Sequence, residues 1–195
     1  MPRRPRAFTE GIFHLCPHAS DTRDLFVNNE DRERFLDRLA LVCRRFELGV
    51  LSYVLMGNHY HVIFRIPDAR LSRSLQRLHT DYSRDHNRRH GRGGHLFRAH
   101  PVAREIESDD DLVGACRYVA RNPVAAHLVR DPLDWRWGSA RAHAGLELPQ
   151  IPLDEHPLRA AFGGTTSWRE RYRTYVQTVP SGQVHVTEMF EPSPV

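Results

Sequence analysis

The chain of 195 residues contains no lysine: all 28 of its basic residues are arginine. Arginine presents a planar fork that grips phosphates two oxygens at a time and stacks on bases, whereas lysine is a flexible point charge. Arginine without lysine also arises from the base composition of a genome, so the absence alone excludes little. With 24 acidic residues the net charge is +4 and the pI near 9.3, a balance that favours an anionic partner. Cysteine is scarce as well. Cys16, Cys43 and Cys116 are odd in number and far apart, which argues against a disulfide framework and against a zinc knuckle. No apolar run approaches the length of a membrane-spanning helix, and the basic start is followed by an apolar stretch too short for a secretory leader and broken by His14. A cytoplasmic protein with no membrane partner is expected.

General disorder is excluded by a 40% hydrophobic content with nine phenylalanines. At this length a single domain could bury roughly 70% of its unfolded surface. A strand is expected over 9–16, then a loop over 17–28. Asn29 is a candidate cap for a helix carrying Glu30 and Asp31 in its first turn, with Phe35, Leu39, Val42 and Phe46 at helical spacing and Gly49 as its stop. An apolar strand over 50–56 leads through Gly57-Asn58, a two-residue hairpin connection, into a second strand. Leu71, Leu75, Leu78 and Tyr82 mark the buried stripe of a second helix that closes before Gly91. A strand over 102–106 follows, then a third helix capped by Ser108 with Asp111 three residues on and limited by Pro123. This order of elements is that of an α+β ferredoxin-like sandwich, an antiparallel sheet with helices packed on it. Residues 1–147 form that domain in this reading. Residues 148–195 form a C-terminal extension, partly helical around Trp168, Tyr172 and Val176, with a frayed end over 191–195.

The stretch Asn58-His59-Tyr60-His61-Val62 is the most informative. Alternate residues of a strand share a face, so His59 and His61 point one way while Tyr60, Val62 and Phe64 point the other. Two imidazoles about 7 Å apart on a rigid strand can converge on one divalent cation and leave positions open for water or a phosphate oxygen. Thirteen histidines would give roughly one such match by chance, so the surrounding hairpin is what lends it weight.

Tyr118 and Asn122 are neighbours one turn apart on the third helix, off the apolar face marked by Leu112, Cys116 and Val119. A tyrosine there, flanked by Arg117 and Arg121, can offer its hydroxyl to a phosphodiester with a cation nearby to favour the phenolate. Attack would conserve the energy of the broken bond in a phosphotyrosine, which suits reversible strand transfer. The Asn122 amide oxygen could complete a metal site begun by His59 and His61. Asparagine before proline commonly ends a helix, and a helical tyrosine is more often a boundary residue, so neither position is diagnostic alone.

Taken together, His59-Tyr60-His61 on a strand, Tyr118 upstream of Asn122-Pro123-Val124, and Trp135-Arg136-Trp137-Gly138-Ser139 soon after resemble the single-tyrosine HUH transposases, nearest to the REP-associated tyrosine transposases. The resemblance spans about residues 8–142 and includes the stretch from Asn87 to Arg98 and an initial strand with His14 near its end. It implies that His59, His61 and Asn122 hold a divalent metal, Mg²⁺ or Mn²⁺. It also implies that Tyr118 attacks the scissile phosphate, and that a 5′-phosphotyrosine and a free 3′-hydroxyl result. The implied partners are single-stranded DNA with hairpins and a second copy of the chain as a homodimer. Gly138, where a serine pair is usual, and Pro17-His18, where a short polar turn is common, depart from the pattern; both are expected to touch supporting regions rather than chemistry.

Arginine with interleaved rings suits a groove for single-stranded nucleic acid. The candidates are Arg73, Arg77, Arg84, Arg88, Arg89, Arg92 and Arg98, with Arg117 and Arg121 beside the tyrosine. The alternative is a catalytically idle DNA-binding or regulatory protein that retains the transposase fold. Tyr82, the rival nucleophile, is assigned to the buried stripe.

Overall fold

In the computed structural model, Asn28 starts the first helix, α1 (Asn29–Phe46): its side chain accepts from the Asp31 amide at 3.0 Å while the Asp31 carboxylate accepts from the Asn28 amide at 3.1 Å. The cap thus lies one residue before the expected Asn29. The helix ends at Glu47, in the left-handed region at φ 56, rather than at Gly49, which opens the next strand. The structure describes residues 10–20, 23–98 and 103–178. Residues 191–195, expected to fray, lie outside the described residues, as does the basic start of the chain.

Strands β1 (Gly11–Leu15), β2 (Gly49–Leu55), β3 (Tyr60–Ile66) and β4 (Ala103–Ile106) form one antiparallel sheet in the order β2-β3-β1-β4. With α1 after β1, α2 (Leu71–Arg89) after β3 and α3 (Asp109–Ala125) after β4, this is the expected α+β sandwich with its helices packed on an antiparallel sheet. Alternation along the strands divides the core in two. Phe13, Leu15, Tyr60, Val62 and Phe64 point toward α1 and α2. Ile12, Ile63, Leu51 and Val54 point the other way, toward α3. Tyr82 is fully buried on the first side, its hydroxyl donating to the Leu25 carbonyl at 2.5 Å, which removes it from candidacy as a nucleophile.

Pro123 does not end α3. Proline forfeits one bond, to the carbonyl four residues back, but Pro123 is buried and the next turn is kept by Ala126 N–H donating to Asn122 O and Leu128 N–H to Pro123 O, both at 2.9 Å. The chain turns at His127, left-handed at φ 56.

Beyond α3 the Trp135-to-Ser139 motif lies along β2. Leu55 N–H donates to Trp137 O at 2.8 Å, Trp135 Nε1 to Leu55 O at 3.1 Å, and Ser139 Oγ accepts from Tyr53 N–H at 3.0 Å. A Cβ at Gly138 would sit 3.1 Å from the Tyr53 carbonyl oxygen, so glycine lets the two backbones approach. After α4 (Ala140–His143) come α5 (His156–Ala161) and α6 (Trp168–Gln177). Trp168, Tyr172 and Val176 pack into the α3 side of the core. No helix among the described residues is long and apolar enough to cross a membrane.

Candidate active site

The reactive candidates lie where β1 and β3 run side by side under α3. Their register pairs His14 with Ile63 and Leu15 with Val62. Pairing then continues past the end of β1: Tyr60 N–H donates to Pro17 O at 3.2 Å, His18 bridges His59, and Ala19 N–H donates to Asn58 O at 2.8 Å. The expected loop over 17–28 therefore begins three residues late, because a proline can still offer its carbonyl to a neighbouring strand. This extension sets His14, Cys16 and His18 beside His59 and His61 on the α3 side.

The rings touch. His59 and His61 have centroids 5.1 Å apart, nearly perpendicular. His14 stacks on His61 at 5.2 Å, with its Nε2 3.1 Å from His61 Nδ1, and His18 stacks on His59 at 4.9 Å. Cys16 Sγ lies 3.2 Å from His18 Nε2 and 3.7 Å from His61 Nε2. The Tyr118 ring, half-buried, meets His61 edge-on at 5.4 Å and His14 at 6.0 Å. Asn122, one turn further along α3, donates to Tyr118 O at 3.4 Å and stands near enough to His59 and His61 to pull the pKa of each upward. The structure thus brings together, within one chain, the four residues singled out as nucleophile and metal ligands.

Burial, then the neighbouring His18, lowers the His59 pKa to about 4, against a modest upward pull from Asn122. Burial, then the Arg104 charge, does the same for His14, also to about 4. His61 is lowered well below its ordinary value, by burial first and His14 next. At neutral pH these rings are uncharged, which is the form that ligates metal. His59 Nδ1–H can donate to Asn58 Oδ1 at 2.8 Å, and His61 Nδ1 is engaged by His14, which leaves the Nε2 atom of each ring for a ligand. Two oriented neutral imidazoles plus an amide fit a divalent cation with open positions. Burial pushes the Cys16 thiol up to about 12.

The arginines separate into groups. Arg73, Arg84, Arg88, Arg92 and Arg98 are exposed along α2 and the segment after it; Arg88 also pairs with Asp85, and Arg77, exposed too, pairs with Asp81. Arg98 reaches His18: its backbone N–H donates to His18 O at 2.9 Å, and its charge helps lower the His18 pKa, after burial. Arg89 instead belongs to a buried ion-pair network with Asp31 and Asp85. Arg117 and Arg121 turn away from the tyrosine to the end of α6. Arg121 donates to Val176 O at 2.8 Å, and Arg117 donates to Thr178 O and lies 4.5 Å over the Tyr175 ring.

A second cluster, Asp31, His86 and His90, offers three ligand atoms all within 4.8 Å of one another and could hold a cation. It lies on the α1 and α2 side of the sheet, away from Tyr118. Its carboxylate is already engaged by the amides of Val27 and Asn28, by His90 at 3.0 Å and by Arg89, whose guanidinium supplies the positive charge there.

Sequence reasoning missed Cys16 and His18, and passed over His14 except as a point of likeness. The period-two spacing of 14, 16 and 18 was the available signal, obscured by taking Pro17 as the end of pairing. His18 is one of the two departures expected to bear only on support, yet it stacks on a candidate ligand.

The family model described as "Transposase IS200 like" matches residues 9–122, up to and including Asn122. No curated protein matches. A solved structure of a REP-associated tyrosine transposase bound to a REP hairpin shares the fold, with a TM-score of 0.63 at 16% identity over 80% of this chain and 93% of that one. The family match covers more than half of the sequence and contains every element that builds the site, and the chain belongs to the IS200-like transposase family.

Proposed function

We propose that the protein is a metal-dependent DNA strand-transferase that binds single-stranded DNA hairpins, cuts beside them through Tyr118 and rejoins the ends. The observation that carries this is the Tyr118 ring seated edge-on against His61 and His14 with Asn122 one turn away. Tyr118 Oη would form the bond to phosphorus as it gives up its proton. The bond from phosphorus to the 3′ oxygen would break, and that oxygen would leave as a hydroxyl, with the 5′ phosphate retained on the tyrosine. Held by His59, His61 and Asn122, a divalent cation, Mg²⁺ or Mn²⁺, would supply polarisation of the scissile phosphate. His14 positions His61, and Asn58 positions His59.

For the nucleic acid, Arg73, Arg77, Arg84, Arg88 and Arg92 would track the backbone along α2, and Arg98 would lead it to the histidines. The similar solved protein is bound to a REP hairpin, which supports the same class of partner here. In this reading residues 1–147 are the working domain and 148–195 an extension that buttresses α3. A homodimer, implied by the family resemblance, would serve to hold two strand ends, since one copy carries the whole reactive set.

The test incubates the protein with hairpin-bearing single-stranded DNA and Mg²⁺ or Mn²⁺, and resolves products under denaturing conditions. A protein-linked 5′ end that disappears in Tyr118→Phe is expected. An adduct that survives the substitution rejects Tyr118. Hairpin binding with no cleavage by the unaltered protein supports an idle, regulatory protein instead.

A further inference from the structure

Cys16 and His18 take no part in the function proposed above, yet they stand in contact with it. Cys16 Sγ is flanked by two imidazole nitrogens, His18 Nε2 at 3.2 Å and His61 Nε2 at 3.7 Å. In a tetrahedral zinc site, with metal–sulfur and metal–nitrogen bonds of about 2.3 and 2.0–2.1 Å, the sulfur and each nitrogen stand about 3.6 Å apart. Both observed separations are near that edge length. Three features place the donors firmly. His61 is 2% exposed and fixed through Nδ1 by His14; Cys16 sits on the strand extension paired to Tyr60; and the His18 backbone is clasped between the His59 bridge and the Arg98 amide.

We propose that Cys16, His18 and His61 form a thiolate and imidazole site for a borderline cation of the Zn²⁺ class, with its fourth position open. Sulfur together with nitrogen selects zinc or cobalt over magnesium, because hard cations gain little from a thiolate. Closing the triangle requires the half-buried His18 ring to leave its stack on His59 and turn toward His61 about its own side-chain torsions. On binding, the sulfur–metal bond forms as the thiol proton passes to solvent, and nothing is oxidised or reduced. The inference rests on the reading of His61 as a metal ligand and refines it: His61 would be shared between a hard-cation set with His59 and Asn122 and a softer set with Cys16 and His18. The two occupants would compete.

The probe is Co²⁺ added to the metal-free full-length protein, followed by optical absorption, then displacement by Zn²⁺. A thiolate-to-cobalt charge-transfer band is expected, present in Tyr118→Phe, absent in Cys16→Ser, and removed by Zn²⁺ at far lower concentrations than by Mg²⁺. Zn²⁺ affinity should fall at least about tenfold in His18→Ala. A variant-free measurement guards against misfolding: alkylation of Cys16 in the unaltered protein, followed by mass spectrometry, should slow with Zn²⁺ and not with Mg²⁺. No band in the unaltered protein, a band that persists in Cys16→Ser, or alkylation indifferent to Zn²⁺ overturns the proposal. If these fail while Mn²⁺ still supports the Tyr118 adduct, only this inference falls; a cobalt band without any adduct leaves it standing and removes the strand-transfer reading.

Discussion

Asp31 shows how much one side chain can hold. It is fully buried, closes the cap of α1, pairs with Arg89 and is hydrogen-bonded to His90 at the far end of α2. Removing one partner of a buried pair strands the other, so Asp31→Ala should cost about 3–5 kcal/mol, read from urea midpoints. A loss below 1 kcal/mol would mean that Arg89 finds water instead. Tyr172 offers the opposite case: its ring is buried and its hydroxyl has no partner among the described residues. Tyr172→Phe should be neutral or stabilising by up to about 1 kcal/mol, while Tyr172→Ala should cost about 3–5 kcal/mol through the cavity it leaves. Thermal unfolding of both variants separates packing from polarity.

The helices and strands differ in how openly the sequence declares them. The stripes of α1 and α2 and the Gly57-Asn58 hairpin follow from spacing alone, since burial imposes period 3.6 or 2. Ends follow less readily. Glu47 and His127 adopt left-handed conformations that their residue types do not advertise, and Pro123 is carried inside α3 because its burial outweighs one missing hydrogen bond. The His59, His61, Tyr118 and Asn122 grouping was legible because strand alternation and helical spacing each set one half of it. What stayed hidden was Cys16 with His18, whose relation to the pair depends on strand pairing that survives a proline. The docking of α6 is another contact between distant segments. Arg117 and Arg121 grip its last carbonyls, so the double change to alanine should expose the 168–178 segment to protease in limited digestion. Unchanged cleavage would assign the docking to Trp168, Tyr172 and Val176 alone.

Across the molecule, histidine couples folding to acidity. Burial holds His14, His59 and His79 at about 4, and lowers His61 too, against an ordinary value of 6.5. Between those limits the unfolded chain binds protons that the folded chain refuses. Stability should therefore be level above about pH 6.5 and fall as pH drops toward 4, by up to about 1.4 kcal/mol per pH unit for each such ring. Denaturation midpoints at pH 7, 6 and 5 would show this, and a flat profile would contradict the burial of these groups. For DNA, each exposed arginine that meets a phosphate should contribute about one unit to the slope of log affinity against log salt, so Arg84→Ala and Arg98→Ala should each shallow it. An Arg98→Ala slope equal to that of the unaltered protein would remove that residue from the binding path. One feature of the site also fixes its kinetic order. Because the phenol and the imidazoles are tethered on a single polypeptide, dilution cannot part them, and turnover per molecule at the first nick should stay constant from micromolar to nanomolar protein with DNA saturating. A rate that fades with the square of protein concentration would mean the nucleophile arrives from another molecule.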